Sequence, residues 1–164
     1  MLLEHDYPVP PADLFRVMLN PRYLRARQDR FGGVGTPEVA HLDDTIEISI
    51  VRQLPLEKVP GAFRGFVGDG KIVQVDTWHV TKEKLADATS LRADWKATLA
   101  SAPAKMGGTH QIVATPTGSH YAIDVDVSVK VPFVGGKIEA QVRGYLENLI
   151  GKEQAFLAKW ISKH

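Results

Sequence analysis

The sequence predicts an α+β fold: a curved antiparallel sheet of about seven strands wrapped around one long C-terminal helix, with a short helical pair after the first strand. Three observations predict it. From Tyr121 to Val129, Tyr121, Ile123, Val125, Val127 and Val129 alternate with Ala122, Asp124, Asp126 and Ser128, the pattern of a strand with one face buried and one in water. From about Pro132 the period turns helical, with Ile138, Val142, Tyr145, Leu146, Leu149, Phe156 and Trp160 on one stripe of roughly seven turns at 3.6 residues each. Between the two, Pro132 stops the strand and Gly135-Gly136 give the chain room to turn back over the sheet.

The remaining elements follow in chain order. Leu3, His5, Tyr7 and Val9 alternate with Leu2, Glu4 and Asp6 as a first strand with one buried face. "VPPADLFRVMLN" reads as a strand exit and a short helix on Leu14, Val17 and Met18, ended or kinked at Pro21. "PRYLRARQDR" fits a second helix and "FGGVG" a flexible exit. "VGTPEVAHL" and "TIEISIVRQL" form a hairpin turning at Asp43-Asp44, with Ile46, Ile48 and Ile50 on one face. "LPLEKVPGAFRGFVGDG", from Leu54 to Gly70, is the longest irregular stretch. "KIVQVDTWHV", "LRADWKATLA", "GTHQIVATP" and "SHYAIDVDVSVKV" then make a meander of four strands. The single-faced sheet must bury its apolar side, and the terminal helix is the element long enough to cover it.

Length and composition bound the rest. A chain of 164 residues is the ordinary size of one domain, so residues 1–164 are expected to form a single unit. With 20 basic and 19 acidic residues no global field draws it to nucleic acid or to an anionic membrane. The opening "MLLEHDYPVP" carries Glu4 and Asp6 where a signal peptide needs basic and then apolar residues. No segment approaches a membrane-spanning length, and a cytoplasmic protein without stable membrane insertion is expected. The absence of cysteine removes disulfides, thiolate catalysis and cysteine-ligated zinc.

The start "YPVPPADLFRVMLNPRYL" and the late "VPFVGGKIEAQVRGYL", in this order of elements, resemble the helix-grip (SRPBCC) superfamily. It includes the START domains, polyketide cyclases and aromatases, and the birch-pollen-allergen proteins. Within it the chain looks like a small actinobacterial family of uncharacterised proteins, the match in element order covering essentially the whole length. The resemblance implies a ligand cavity between sheet and helix, and leaves the chemistry of that cavity open.

Candidate cavity residues follow from residue type and expected position. Trp78, Trp95, Tyr121 and Tyr145 are expected to face the interior, joined by Leu149 on the helix stripe, while Phe63 and Phe66 in the irregular stretch are placed to cap a pocket mouth. His5, Tyr7, His110 and Glu153 are the polar candidates for orienting a ligand or moving a proton. Glu153 lies within the helix stripe, where desolvation would raise its pKa, unless it reaches solvent at the stripe's edge; the face occupied by His110 is left open by "THQIVA". Asp124 and Asp126 read as a solvated face, and Arg22, Arg25, Arg27 and Arg30 as a solvated surface interrupted by Asp29.

Metal and cofactor motifs are absent from the sequence. The six histidines show neither HExxH nor an i, i+4 pair on a helix, there is no GxSxG elbow, and "FGGVG" and "VGDG" lack the residues of a phosphate loop. Three functions stay in contention. They are a noncatalytic binder or carrier of a lipid or polyketide-like molecule, a cyclase, aromatase or dehydratase using His110, Tyr121 or Glu153, and a protein-interaction adaptor.

Overall fold

The computed structural model describes residues 1–59, 61–99 and 102–164. After β1 (Leu2–Tyr7) come α1 (Pro11–Leu19) and α2 (Pro21–Arg30), each with proline in its first turn. The Asn20 side chain caps α2 by accepting from the Arg22 N–H at 2.9 Å. Then follow β2 (Gly33–His41), β3 (Ile46–Gln53), a 3-10 turn at Leu56–Lys58, α3 (Gly61–Arg64), β4 (Lys71–Trp78), α4 (Lys82–Leu85), β5 (Ser90–Leu99), β6 (Ala104–Thr115), β7 (Gly118–Val129) and α5 (Gly135–Lys163).

All seven strands form one curved sheet in the order β1-β7-β6-β5-β4-β3-β2, each pair antiparallel. The first strand sits at the edge beside β7, with Leu3 opposite Ile123 and His5 opposite Tyr121. The inner face of β5 carries Leu91, Ala93, Trp95, Ala97 and Leu99, all buried, with the residues between them exposed. β7 buries Tyr121, Ile123, Val125, Val127 and Val129 in the same way, with Asp124 and Asp126 exposed and Ala122 and Ser128 half-buried between them. This is the two-residue period of a sheet with one wet side.

Three boundaries differ from the sequence expectation. β2 begins at Gly33, one residue before the expected Val34 and within the stretch read as a flexible exit, and it carries an irregularity between Val34 and Glu38. β6 begins at Ala104, four residues before the expected Gly108, because Gly107 and Gly108 are paired strand residues opposite Lys96 and Trp95. A Cβ on Gly108 would stand 2.0 Å from the Asp124 carbonyl oxygen, and its absence lets the Trp95 indole N–H donate to that same oxygen at 3.1 Å. α5 starts at Gly135 rather than Pro132, and Phe133 between them adopts a positive φ of 68° while fully exposed. A Cβ at Gly135 would meet the Val129 carbonyl at 2.5 Å, whereas one at Gly136 meets nothing within 4 Å, so the close approach rests on Gly135 alone. Ala100, expected as the last residue of the fifth strand, and Pro60 in the irregular stretch lie outside the described residues.

Packing divides the molecule into a closed half and an open half. In the closed half, α1 presses Leu14 and Phe15 onto the sheet, with the Phe15 ring 4.7 Å from that of Trp78, a fully buried residue. Tyr23 of α2 lies against Phe156 and Trp160 of α5, and Ile150 and Leu157 are buried beneath it. At 1.5 Å per residue α5 is about 43 Å long, and toward its N-terminal end only Gly135 and Ile138 are buried. The stripe residues Val142, Leu146 and Leu149 are half-buried, and Tyr145 is 40% exposed. They are only partly covered because this part of the helix stands over a void.

Candidate functional site

Two cavities lie end to end between the sheet and α5, meeting at Leu54, Ile72, Met106, Tyr145 and Leu146. The inner one, about 80 Å³, reaches toward the closed half, and the outer one, about 510 Å³, lies under the N-terminal half of α5. The outer walls are apolar: Val59 and Phe63 from the irregular stretch, Leu99 and Val127 from the sheet, Ile138 and Val142 from the helix, with Lys58 and Gln141 as polar exceptions. The inner cavity is different in kind, because charged side chains line it.

Strand alternation places those charges. Arg52 follows Ile46, Ile48 and Ile50 on the inner face of β3, and Gln74 and Asp76 lie between Ile72 and Trp78 on the inner face of β4. His110 comes from β6 and Tyr121 from β7, while Arg27 extends from α2 and Glu153 from α5. They form one connected series. Arg27 Nη2 donates to Glu153 Oε2 at 3.0 Å, and Arg52 Nη2 stands 2.6 Å from Glu153 Oε1. The Arg52 Nε–H donates to Gln74 Oε1 at 3.2 Å, and Gln74 Nε2 donates to Asp76 Oδ1 at 2.9 Å. His110 Nε2 lies 3.5 Å from Asp76 Oδ1 and makes no hydrogen bond among the described residues. On its other side, His110 Nδ1 and the Tyr121 hydroxyl are 2.8 Å apart.

Burial and neighbours shift these groups in opposite directions. Burial alone would push the Glu153 carboxyl up, but the Arg27 and Arg52 guanidiniums outweigh it and hold Glu153 below the ordinary value. This corrects the expectation of a raised pKa: Glu153 is neither a neutral acid in an apolar pocket nor a snorkelling residue, but the shared partner of two arginines. Asp76 is likewise held low, with burial opposed by His110, Arg27 and the Gln74 amide. Burial pushes the Tyr121 and Tyr7 hydroxyls well above their usual range and that of Tyr23 to about 12. These phenols stay protonated, and the Tyr7 hydroxyl donates to the Gln154 carbonyl at 3.1 Å.

Of the residues expected at the cavity, Trp95, His110, Tyr121, Tyr145, Leu149 and Glu153 line its inner part and Phe63 its outer part. Trp78 lines neither; it lies behind His110, stacked at 5.3 Å between ring centroids. Phe66 is 42% exposed and 6.0 Å from the Phe63 ring, outside both walls. His5 packs edge-on against Tyr7 at 4.6 Å and does not reach the cavity, which Tyr7 itself lines. The sequence reading missed Arg52, Gln74 and Asp76, and it assigned Arg27 to a solvated surface. Arg22, Arg25 and Arg30 are exposed, but Arg27 turns inward because it lies one helical turn after the buried Tyr23. The missed strand residues had a signal: each falls on the apolar parity of its strand.

Comparison with known proteins places this geometry. The chain superposes on TTHA0849 from Thermus thermophilus with a TM-score of 0.60 at 14% identity, over 97% of this chain and 94% of that one. It superposes on the Zhui aromatase/cyclase from Streptomyces sp. R1128 with a TM-score of 0.58 at 9% identity, over 99% and 94%. The architecture is the helix-grip fold. Uncharacterised proteins of Mycobacterium tuberculosis and Mycobacterium bovis are 29% identical over 125 residues, covering 74% of this chain and 69% of theirs. The family described as a protein of unknown function, DUF2505, matches residues 3–161, and with that span the chain belongs to it.

Proposed function

We propose that this chain, acting as a single domain in the cytoplasm, binds and carries a hydrophobic small molecule, a lipid or polyketide-like compound, between its sheet and α5. The observation that carries the reading is the outer cavity of about 510 Å³, walled by aliphatic and aromatic side chains beneath a helix whose apolar residues are only half-covered. Ligand surface buried there contributes roughly 25 cal/mol per Å² before the costs of association. Native mass spectrometry of the gently purified protein, followed by denaturing extraction, tests it. A stoichiometric apolar adduct that Val142→Trp abolishes in a folded protein supports carriage. An adduct retained in that variant, or a cavity that takes up no apolar probe, overturns it.

One feature favours a second reading, in which the same cavity performs proton transfer as a cyclase, aromatase or dehydratase. His110 is buried between a carboxylate and a phenol, an arrangement suited to general acid–base work. Loss of turnover in His110→Gln with ligand binding retained would favour this reading over simple carriage.

A further inference from the structure

The polar series and the apolar chamber are two ends of one space, and the balance of donors and acceptors at the polar end constrains what fits. A guanidinium offers five N–H donors and no acceptor. Arg52 directs Nε–H at Gln74 and Nη2 at Glu153, and Arg27 directs Nη2 at Glu153. The other N–H groups of both arginines have no acceptor among the described residues. Most acceptor atoms nearby already face a donor: Glu153 Oε2 accepts from Arg27, Glu153 Oε1 stands 2.6 Å from Arg52, and Asp76 Oδ1 accepts from Gln74. The inner end is therefore rich in donors.

Resting on the binding reading above, we infer that the ligand's polar end is an oxygen acceptor, a carboxylate or a carbonyl, held against Arg52 and Arg27 with its apolar body in the outer cavity. The planar fork of a guanidinium matches such oxygens in distance and direction. An ammonium group meets the same two cations, and both carboxylates there already face a donor. A hydrocarbon without a polar end leaves the donors facing it unpaired, which costs affinity.

Isothermal titration of the full chain, freed of co-purified small molecules, with four probes sharing one bicyclic body tests this: 2-naphthoate, 2-acetonaphthone, 2-methylnaphthalene and 2-(aminomethyl)naphthalene. The expected result is that naphthoate or acetonaphthone binds about tenfold or more tightly than the hydrocarbon and the amine, about 1.4 kcal/mol. A margin seen with naphthoate alone identifies a charged head, and one seen with acetonaphthone a carbonyl. Arg52→Gln is expected to reduce that margin to about threefold or less while the hydrocarbon's affinity is unchanged. If Arg52→Gln fails to fold, Arg52→Lys keeps a cation beside Glu153 without the fork and is expected to reduce the margin as well. Equal binding of hydrocarbon and oxygenated probes, or tightest binding of the amine, overturns the acceptor head and leaves the binding reading standing. Binding of none of the four overturns both.

Discussion

Arg27 on α2 and Glu153 on α5 meet at 3.0 Å although 126 positions separate them in the sequence, and Arg52 reaches the same carboxylate from β3. One side chain thus ties the helical pair and the sheet to the long helix. Removing it leaves two guanidiniums without their counter-ion in a largely desolvated place. Glu153→Gln is expected to cost about 3–5 kcal/mol, read as a lower urea midpoint with an unchanged slope.

The same carboxylates set the acid limit of stability. Glu153 and Asp76 have folded-state pKa values below their ordinary 4.5 and 3.8. Their stabilisation is complete above those values, shrinks as pH falls through them, and is gone once both are protonated in the folded state. Urea midpoints measured from about pH 7 down to about pH 3 are expected to be flat and then to fall, and Glu153→Gln to show a shallower fall. An acid profile identical in wild type and variant would contradict the assignment.

Tyr121 and His110 form the other end of the series at 2.8 Å. Tyr121→Phe removes the hydroxyl and leaves a buried ring nitrogen unpaired, with an expected loss of about 1–3 kcal/mol. The nitrogen-15 shifts of His110 are expected to move with it, whereas those of the exposed His79 should not.

Filling the outer cavity separates fold from function. Val142 faces the void and is half-buried, so Val142→Trp is expected to leave the melting temperature within a few degrees of wild type while abolishing uptake of apolar probes. Leu157→Ala, in the packed half, is expected to cost about 2–5 kcal/mol with the outer cavity intact.

Glycines on the two elements are expected to respond oppositely. Gly108→Ala drives a methyl group into the Asp124 carbonyl and displaces the Trp95 indole from it, so a loss of well over 1 kcal/mol is expected. Gly144 and Gly151 lie inside α5 with nothing within 4 Å of an added Cβ. Alanine at either is expected to raise stability by up to about 1 kcal/mol, and thermal melts of the three variants give the comparison.

Much of this architecture was legible because it rests on periodicity. The alternation through Tyr121 to Val129 and the stripe from Ile138 to Trp160 are imposed by burial on one face, and the sheet and helix they imply are present. What escaped was polar chemistry on a buried face. Arg52 stands two residues after Ile50, and Asp76 two residues before Trp78, so parity alone places both inside; their charge argued against it. A buried charge is tolerated only beside a partner, and the partners of Arg52 come from β4 and α5, far away in sequence. Arg27 was misplaced for the same reason: its counter-ion belongs to the other end of the chain. The half-covered stripe residues escaped because a sequence distinguishes apolar from polar but not a filled space from an empty one.

The place of α5 after all seven strands has a consequence for biosynthesis. A ribosome releases the whole sheet before the residues that cover its concave face, and at about 5–20 residues per second that face waits several seconds for its helix. Until then Arg27 and Arg52 have no Glu153, and the apolar wall of β5 and β7 is open to any passing chain. A released chain truncated near residue 134 should therefore bind chaperones strongly, and the full chain should not. The cavity is in this sense closed only after its sheet has been made.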